Sequence, residues 1–161
     1  MNKTTIGWAW VAVQAVLLVT LVFLPSGNDW PRSQALSAAA GVLFFVGVAV
    51  MLISALRLGR SLTATPVPVA GGSMVSDGLY RWMRHPIYTG VMALVVAIAL
   101  RSRSWPTVAV ALATIAFFNL KARWEEARLA EHYPDYQRYA AVTSRFVPTP
   151  LVLRRTRPDR G

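Results

Sequence analysis

Gly78-Leu79-Tyr80-Arg81-Trp82-Met83-Arg84-His85-Pro86-Ile87-Tyr88-Thr89-Gly90 runs without a break into the apolar segment 91–100. These thirteen residues hold two tyrosines, two arginines, a proline and one of the chain's two histidines. Polar and ionisable side chains at the mouth of an apolar helix are costly to keep there. The default reading of such a cluster is a functional site carried on a membrane scaffold. The rest of the chain supplies that scaffold.

Of the 161 residues, 55% are hydrophobic and only 15% charged, and the mean hydropathy is +0.42. A soluble domain carries about 25% charged residues. Four apolar runs make the difference: 6–24, 35–56, 87–100 and 107–120. As a helix the first is about 28 Å long, one bilayer core. It is too long for the apolar part of a signal peptide and no small-residue cleavage pattern follows, so a retained helix is expected. Trp8, Trp10 and Trp30 sit near its ends, as interfacial aromatics do. The second run has no charge, and Ala38, Ala39, Ala40, Gly41, Gly47 and Ala49 suit close helix packing. The third and fourth are short and flank a tight turn, 101–106, in which Pro106 opens a helix. They read as a helical hairpin. No glycine or proline interrupts 107–133, so the fourth helix can run about 40 Å and leave the membrane before Pro134. A short helix is expected after Pro134, and the basic tail suits anionic headgroups. The expected fold is all-α, an integral membrane helical bundle of about four transmembrane helices with a cytosolic C-terminal helical cap. Its parts are a transmembrane helix pair (1–60), a core (61–148) and the tail (149–161).

The net charge is +10, but the apolar runs divide the basic residues into loop clusters instead of a stripe. That pattern fits membrane topology and not nucleic-acid binding. With no cysteine, disulfides, thiolate metal sites and cysteine nucleophiles are excluded. Two histidines alone make no conventional zinc site, so no metal is expected. With four spans, 14 of the 17 lysines and arginines fall on the side of the termini and the opening motif. The positive-inside rule makes that side cytoplasmic, and a bacterial inner membrane is the expected location. Segment 61–77, rich in proline, glycine, serine and threonine, is an irregular loop leading into the motif. A loop of that length either lines a pocket or is a solvated linker.

Four motifs, Gly78-x-Tyr80, Arg84-His85-Pro86-x-Tyr88-x-Gly90, Glu125-Glu126-x-x-Leu129 and Tyr136-x-x-Tyr139, together resemble the isoprenylcysteine carboxyl methyltransferase family, whose wider group includes the phospholipid methyltransferases. The resemblance covers about residues 62–148 and leaves out the first two helices. It implies methyl transfer from S-adenosyl-L-methionine in a pocket roofed by membrane helices and open to the cytosol. Carried over by motif, the cofactor residues are Gly72, Ser73, Met74, Val75, Tyr80, His85, Pro86, Ile87, Tyr88 and Glu125. The family's basic substrate contact, four residues before the first glutamate, corresponds to Lys121, where the eukaryotic enzymes usually carry arginine; Arg123 is a second candidate. Where the family often has Phe-Gly before Tyr-x-x-Tyr, this chain has Tyr133-Pro134, one residue shorter.

The residue chemistry agrees with that implication. Glu125 can accept hydrogen bonds from ribose hydroxyls or an ammonium group. His85 and nearby backbone amides can hold a carboxylate, and Tyr80 and Tyr88 can stack on adenine or face a sulfonium. Methyl transfer needs alignment more than acid–base power. A carboxylate acceptor, already ionised, needs only Lys121 or Arg123 to position it; an amine needs a base, for which Glu126 is nearest. Each residue also has a plainer reading. His85 could cap the third helix, Arg81 and Arg84 could be anchors, Tyr136 and Tyr139 could be packing, and the charges of 121–128 could be surface ion pairs. The expected partners are a lipophilic small-molecule or lipid acceptor and membrane lipids. Two other readings stay open. A nicotinamide-dependent membrane reductase has a similar C-terminal architecture, but segment 61–77 lacks the positive charge its phosphates need. The other is a non-catalytic membrane protein in which the motif only packs.

Overall fold

The computed structural model describes residues 3–59 and 74–148. The described residues form five α-helices: α1 (Lys3–Phe23), α2 (Gln34–Leu58), α3 (Pro86–Ser102), α4 (Trp105–His132) and α5 (Tyr136–Val142). Among the described residues no strand occurs, and α1, α2 and α4 are long and apolar enough to cross a membrane. At 17 residues, α3 is about 25 Å long, shorter than those three. The fold is therefore the expected all-helical membrane bundle, with three full-length candidate spans and α3 as a shorter fourth apolar helix. Expectations for Gly72, Ser73, most of segment 61–77 and the tail 149–161 fall outside the described residues.

Helix boundaries follow local chemistry. Ser33 caps α2, its hydroxyl accepting from the Leu36 amide, and Ser104 caps α4, accepting from Thr107. Pro86 and Pro106 sit in the first turns of α3 and α4, where a missing N–H costs nothing. At 28 residues α4 is about 42 Å long, and it ends just before Pro134.

The helices pack in the order α2, α3, α4, α1, with α3 and α4 central. Two contacts set the spacing. Gly47 of α2 faces Gly90 of α3, and a Cβ at Gly90 would lie 2.6 Å from the Gly47 carbonyl oxygen. Backbone meets backbone there, so both positions need glycine. On the other flank, α1 runs antiparallel to α4: Leu21 joins Val95, Ala99 and Ala111 in a buried cluster, and Trp10 packs on Phe117 and Trp124. Trp10 thus serves the α1–α4 interface.

At the far end of the bundle, residues 24–33 cross the α3–α4 turn. The Gly27 amide donates to the Ser102 carbonyl at 2.8 Å, Asp29 accepts from the Trp105 amide at 2.6 Å, and Arg103 Nε donates to the Trp30 carbonyl at 2.8 Å. At the near end, Arg57 makes a two-pronged ion pair with Asp77. That pair ties the last turn of α2 to the short 3-10 turn Gly78–Arg81, which carries Tyr80.

Candidate active site

His85 precedes Pro86, which disfavours the helical region for it; its φ is −125° and its ψ 59°, so α3 begins only at the proline. The His85 side chain makes no capping bond to α3. It stacks instead on Tyr88, one turn along, with ring centroids 5.2 Å apart and planes 3° from parallel. Its Nε2 lies 3.2 Å from Glu126 Oε1 and its Nδ1 3.9 Å from Glu125 Oε2. The Tyr88 hydroxyl donates to Glu125 Oε2 at 2.7 Å. The motif at the start of α3 and the glutamate pair on α4 therefore form one contiguous polar group.

Glu126 is the hub of that group. It accepts from Arg84 Nε at 3.0 Å and from Arg145 Nε and a terminal nitrogen at 3.0 and 2.8 Å. Arg84 also donates to the carbonyls of Ala140 and Thr143, which clamps α5 and the turn after it. Arg84 and His85 amides donate to the Ser144 and Arg145 carbonyls, and Thr89 donates to the Phe146 carbonyl. Segment 143–146 is thereby laced along the motif. The hydrogen bonds from Arg145 to Glu126 push the guanidinium pKa above its ordinary value.

Lys121 is only 3% exposed. Its ammonium donates to Gln14 Oε1 of α1 at 2.5 Å and stands 5.3 Å from the centre of the Tyr88 ring. Arg123, two residues on, is exposed on the other face of α4 and makes no hydrogen bond or ion pair among the described residues. Lys121, Glu125 and Glu126 thus come together with His85 and Tyr88, and Arg123 does not. Pro86 is buried at the start of α3 and Ile87 half-buried beside it; Met74 and Val75 are half-buried ahead of the Tyr80 turn. Arg84, expected either as an anchor or as a site residue, is a clamp. Arg81 is exposed.

The tyrosines close the group from the side of α5. The Tyr139 hydroxyl donates to the Tyr80 carbonyl. Tyr136 is buried, and its hydroxyl has no hydrogen-bond partner among the described residues. Burial, reinforced by the charge of Glu125, pushes the Tyr80 phenol well above its ordinary range. Tyr136 is pushed up likewise, by burial first and then by Glu126, and Tyr139 by burial. All three are neutral phenols near neutral pH.

Residues 36–136, from α2 to the first residue of α5, match the family described as phospholipid methyltransferase. The chain belongs to the phospholipid methyltransferase family. No curated protein matches it. The chain is thus an integral membrane protein of a methyltransferase family. The segment shared with phospholipid methyltransferases holds the whole motif and the glutamate pair. It excludes two members of the polar group, Gln14 and Arg145. Sequence reasoning gave neither a role. Gln14 was visible as one of two hydrogen-bonding side chains in an otherwise apolar first run, and that interruption was the available signal.

Proposed function

We propose that the protein transfers a methyl group from S-adenosyl-L-methionine to a small lipophilic or carboxylate-bearing acceptor at the cytosolic face of the membrane. One observation supports this most. The buried Tyr136 hydroxyl lacks a partner among the described residues and lies within electrostatic reach of Glu125 and Glu126. A buried hydroxyl without a partner is costly, and a polar ligand would satisfy it. The donor set fits the same cofactor. Glu125 uses one carboxylate oxygen on Tyr88, and its other oxygen has no partner among the described residues. The residues assigned to the cofactor are Met74, Val75, Tyr80, His85, Pro86, Ile87, Tyr88 and Glu125, with Gly72 and Ser73 from the preceding loop.

When bound, the cofactor supplies an electrophilic methyl group on a sulfonium. The protein's residues orient the partners of that transfer. Tyr88, fixed between His85 and Glu125, forms one wall of the site. Lys121 holds a buried positive charge against the same ring and can position an anionic or carbonyl group of the acceptor. Glu126, engaged by Arg84, Arg145 and His85, is better placed to hold the site together than to take a proton. Arg123, exposed at the membrane surface, can meet only a headgroup that reaches round α4. A bilayer-embedded α3 and α4 favour an acceptor that enters sideways from lipid. The excess of basic residues at this end favours a cytoplasmic site and cytoplasmic termini, in a bacterial inner membrane.

The test is transfer of tritiated methyl from S-adenosyl-L-methionine in membranes containing the protein. Label is expected in the organic phase, and none with Glu125→Ala. Label confined to water-soluble products would contradict a lipophilic acceptor. Absence of label from both phases, with the parent protein folded, would contradict transfer itself.

A further inference from the structure

The bundle has an opening at the end opposite the candidate active site. It is a cavity of about 670 Å³ whose floor is Val96, Ala99 and Leu100 of α3. Leu36 of α2 forms one wall, and Leu112 and Ile115 of α4 form the other. It lies where α2 and α4 both pack on α3, and Ala99 and Ala111 line it with side chains too small to fill it. Along α3, Ala99 lies eleven residues from Tyr88, about 16 Å, so this cleft is separate from the candidate active site.

The volume is that of a small-ligand site, but the interior offers water nothing. Ser33 and Arg32 are its polar lining residues, both at the rim, and the Ser33 hydroxyl is already used in capping α2. A buried water needs two to four polar partners. The rim itself is built for a headgroup. Trp30 and Trp105 meet edge to face at 5.3 Å across the mouth, as aromatic residues do at the edge of a bilayer. Arg32 is exposed beside them and has no ion-pair partner among the described residues. Arg101, also exposed, ends α3 on the same side.

We propose that this cleft binds one phospholipid of the leaflet opposite the active site, with an acyl chain on the α3 floor and an anionic headgroup on Arg32. Lipid tails are as apolar as leucine, so entry of a chain gains little from leaving water. Retention must come from close packing along Val96, Ala99 and Ile115 and from the charge at Arg32. An anionic lipid is therefore preferred over a zwitterionic one.

Native mass spectrometry of the full chain, released from detergent micelles carrying palmitoyl-oleoyl phosphatidylglycerol or phosphatidylcholine, tests this. One lipid per chain is expected, with phosphatidylglycerol retained about tenfold better, the scale of one charge-assisted contact. Arg32→Gln, at an exposed position, should remove the preference and leave the thermal midpoint unchanged. Val96→Trp, which fills the cleft, should abolish retention of both lipids. Absence of retained lipid, an unchanged preference in Arg32→Gln, or full retention by a folded Val96→Trp variant would overturn the proposal. So would a chain dimer that Val96→Trp converts to monomer, since a second copy would then be the occupant.

Discussion

Replacing Glu126 by glutamine preserves the side chain's shape and removes its charge from between Arg84, Arg145 and His85. The three charged side chains are 14%, 12% and 30% exposed for Glu126, Arg84 and Arg145, so Arg84 loses most and Arg145 is partly compensated by water. Hydrogen bonds to charged groups contribute about 1.5–3 kcal/mol each. Glutamine keeps one acceptor oxygen for an arginine but turns its NH₂ toward another donor. The expected cost is about 2–4 kcal/mol, near the lower end for a broken buried ion network. Arg84→Met should cost more than Arg145→Met, because Arg84 also holds the Ala140 and Thr143 carbonyls. Reversible unfolding by SDS in mixed micelles, followed by tryptophan fluorescence, gives each value. A double-mutant cycle of Glu126→Gln with Arg145→Met should return a coupling of about 0.5–3 kcal/mol. If Glu126→Gln stays within about 0.5 kcal/mol of the parent, with zero coupling to Arg145 and methyl transfer lost, Glu126 is a chemical group and the structural reasoning is refuted.

Further outcomes follow from other contacts. Gly90→Ala should cost about 1–3 kcal/mol in the same unfolding assay, because its Cβ meets the Gly47 carbonyl oxygen at 2.6 Å. Gly41→Ala, with open space around it, should be neutral or slightly stabilising. Gln14→Leu deprives the buried Lys121 ammonium of its amide partner and should cost about 1.5–3 kcal/mol; an unchanged midpoint would show that the pair is not formed. Tyr80, Tyr136 and Tyr139 have phenols raised above the ordinary value of 10.0 in the fold. The unfolded chain loses these protons first, so their contribution is complete below pH 10 and should decline as pH rises above it. A stability that rises above pH 10 would contradict their burial.

The membrane helices were legible because hydropathy and length report directly on the environment a helix needs, and Pro86, Pro106 and Pro134 mark three boundaries. Tyr88 and Glu125 meet as the combined motifs suggested, since each lies on a helix face fixed by its spacing. Gly90 belongs to the motif, but its contact with Gly47 is a property of two helices and is invisible in either alone. The same limit hid Arg145. It lies nineteen residues beyond Glu126, and only the turn after α5 returns it to α4. Arg123 illustrates the opposite case. A helix turns 200° in two residues, so Lys121 and Arg123 cannot share a wall, and packing against α1 chose Lys121 for the inside. Gln14 was visible only as a polar interruption, whose partner required the antiparallel register of α1 on α4.

The most direct measurement of the central claim is calorimetric titration of the purified protein with S-adenosylhomocysteine, with NADPH titrated in parallel. Saturable binding of S-adenosylhomocysteine, lost in Glu125→Ala and in His85→Ala, is the predicted result, with no heat from NADPH. Binding of NADPH in place of S-adenosylhomocysteine, or binding of neither by the folded protein, would contradict it.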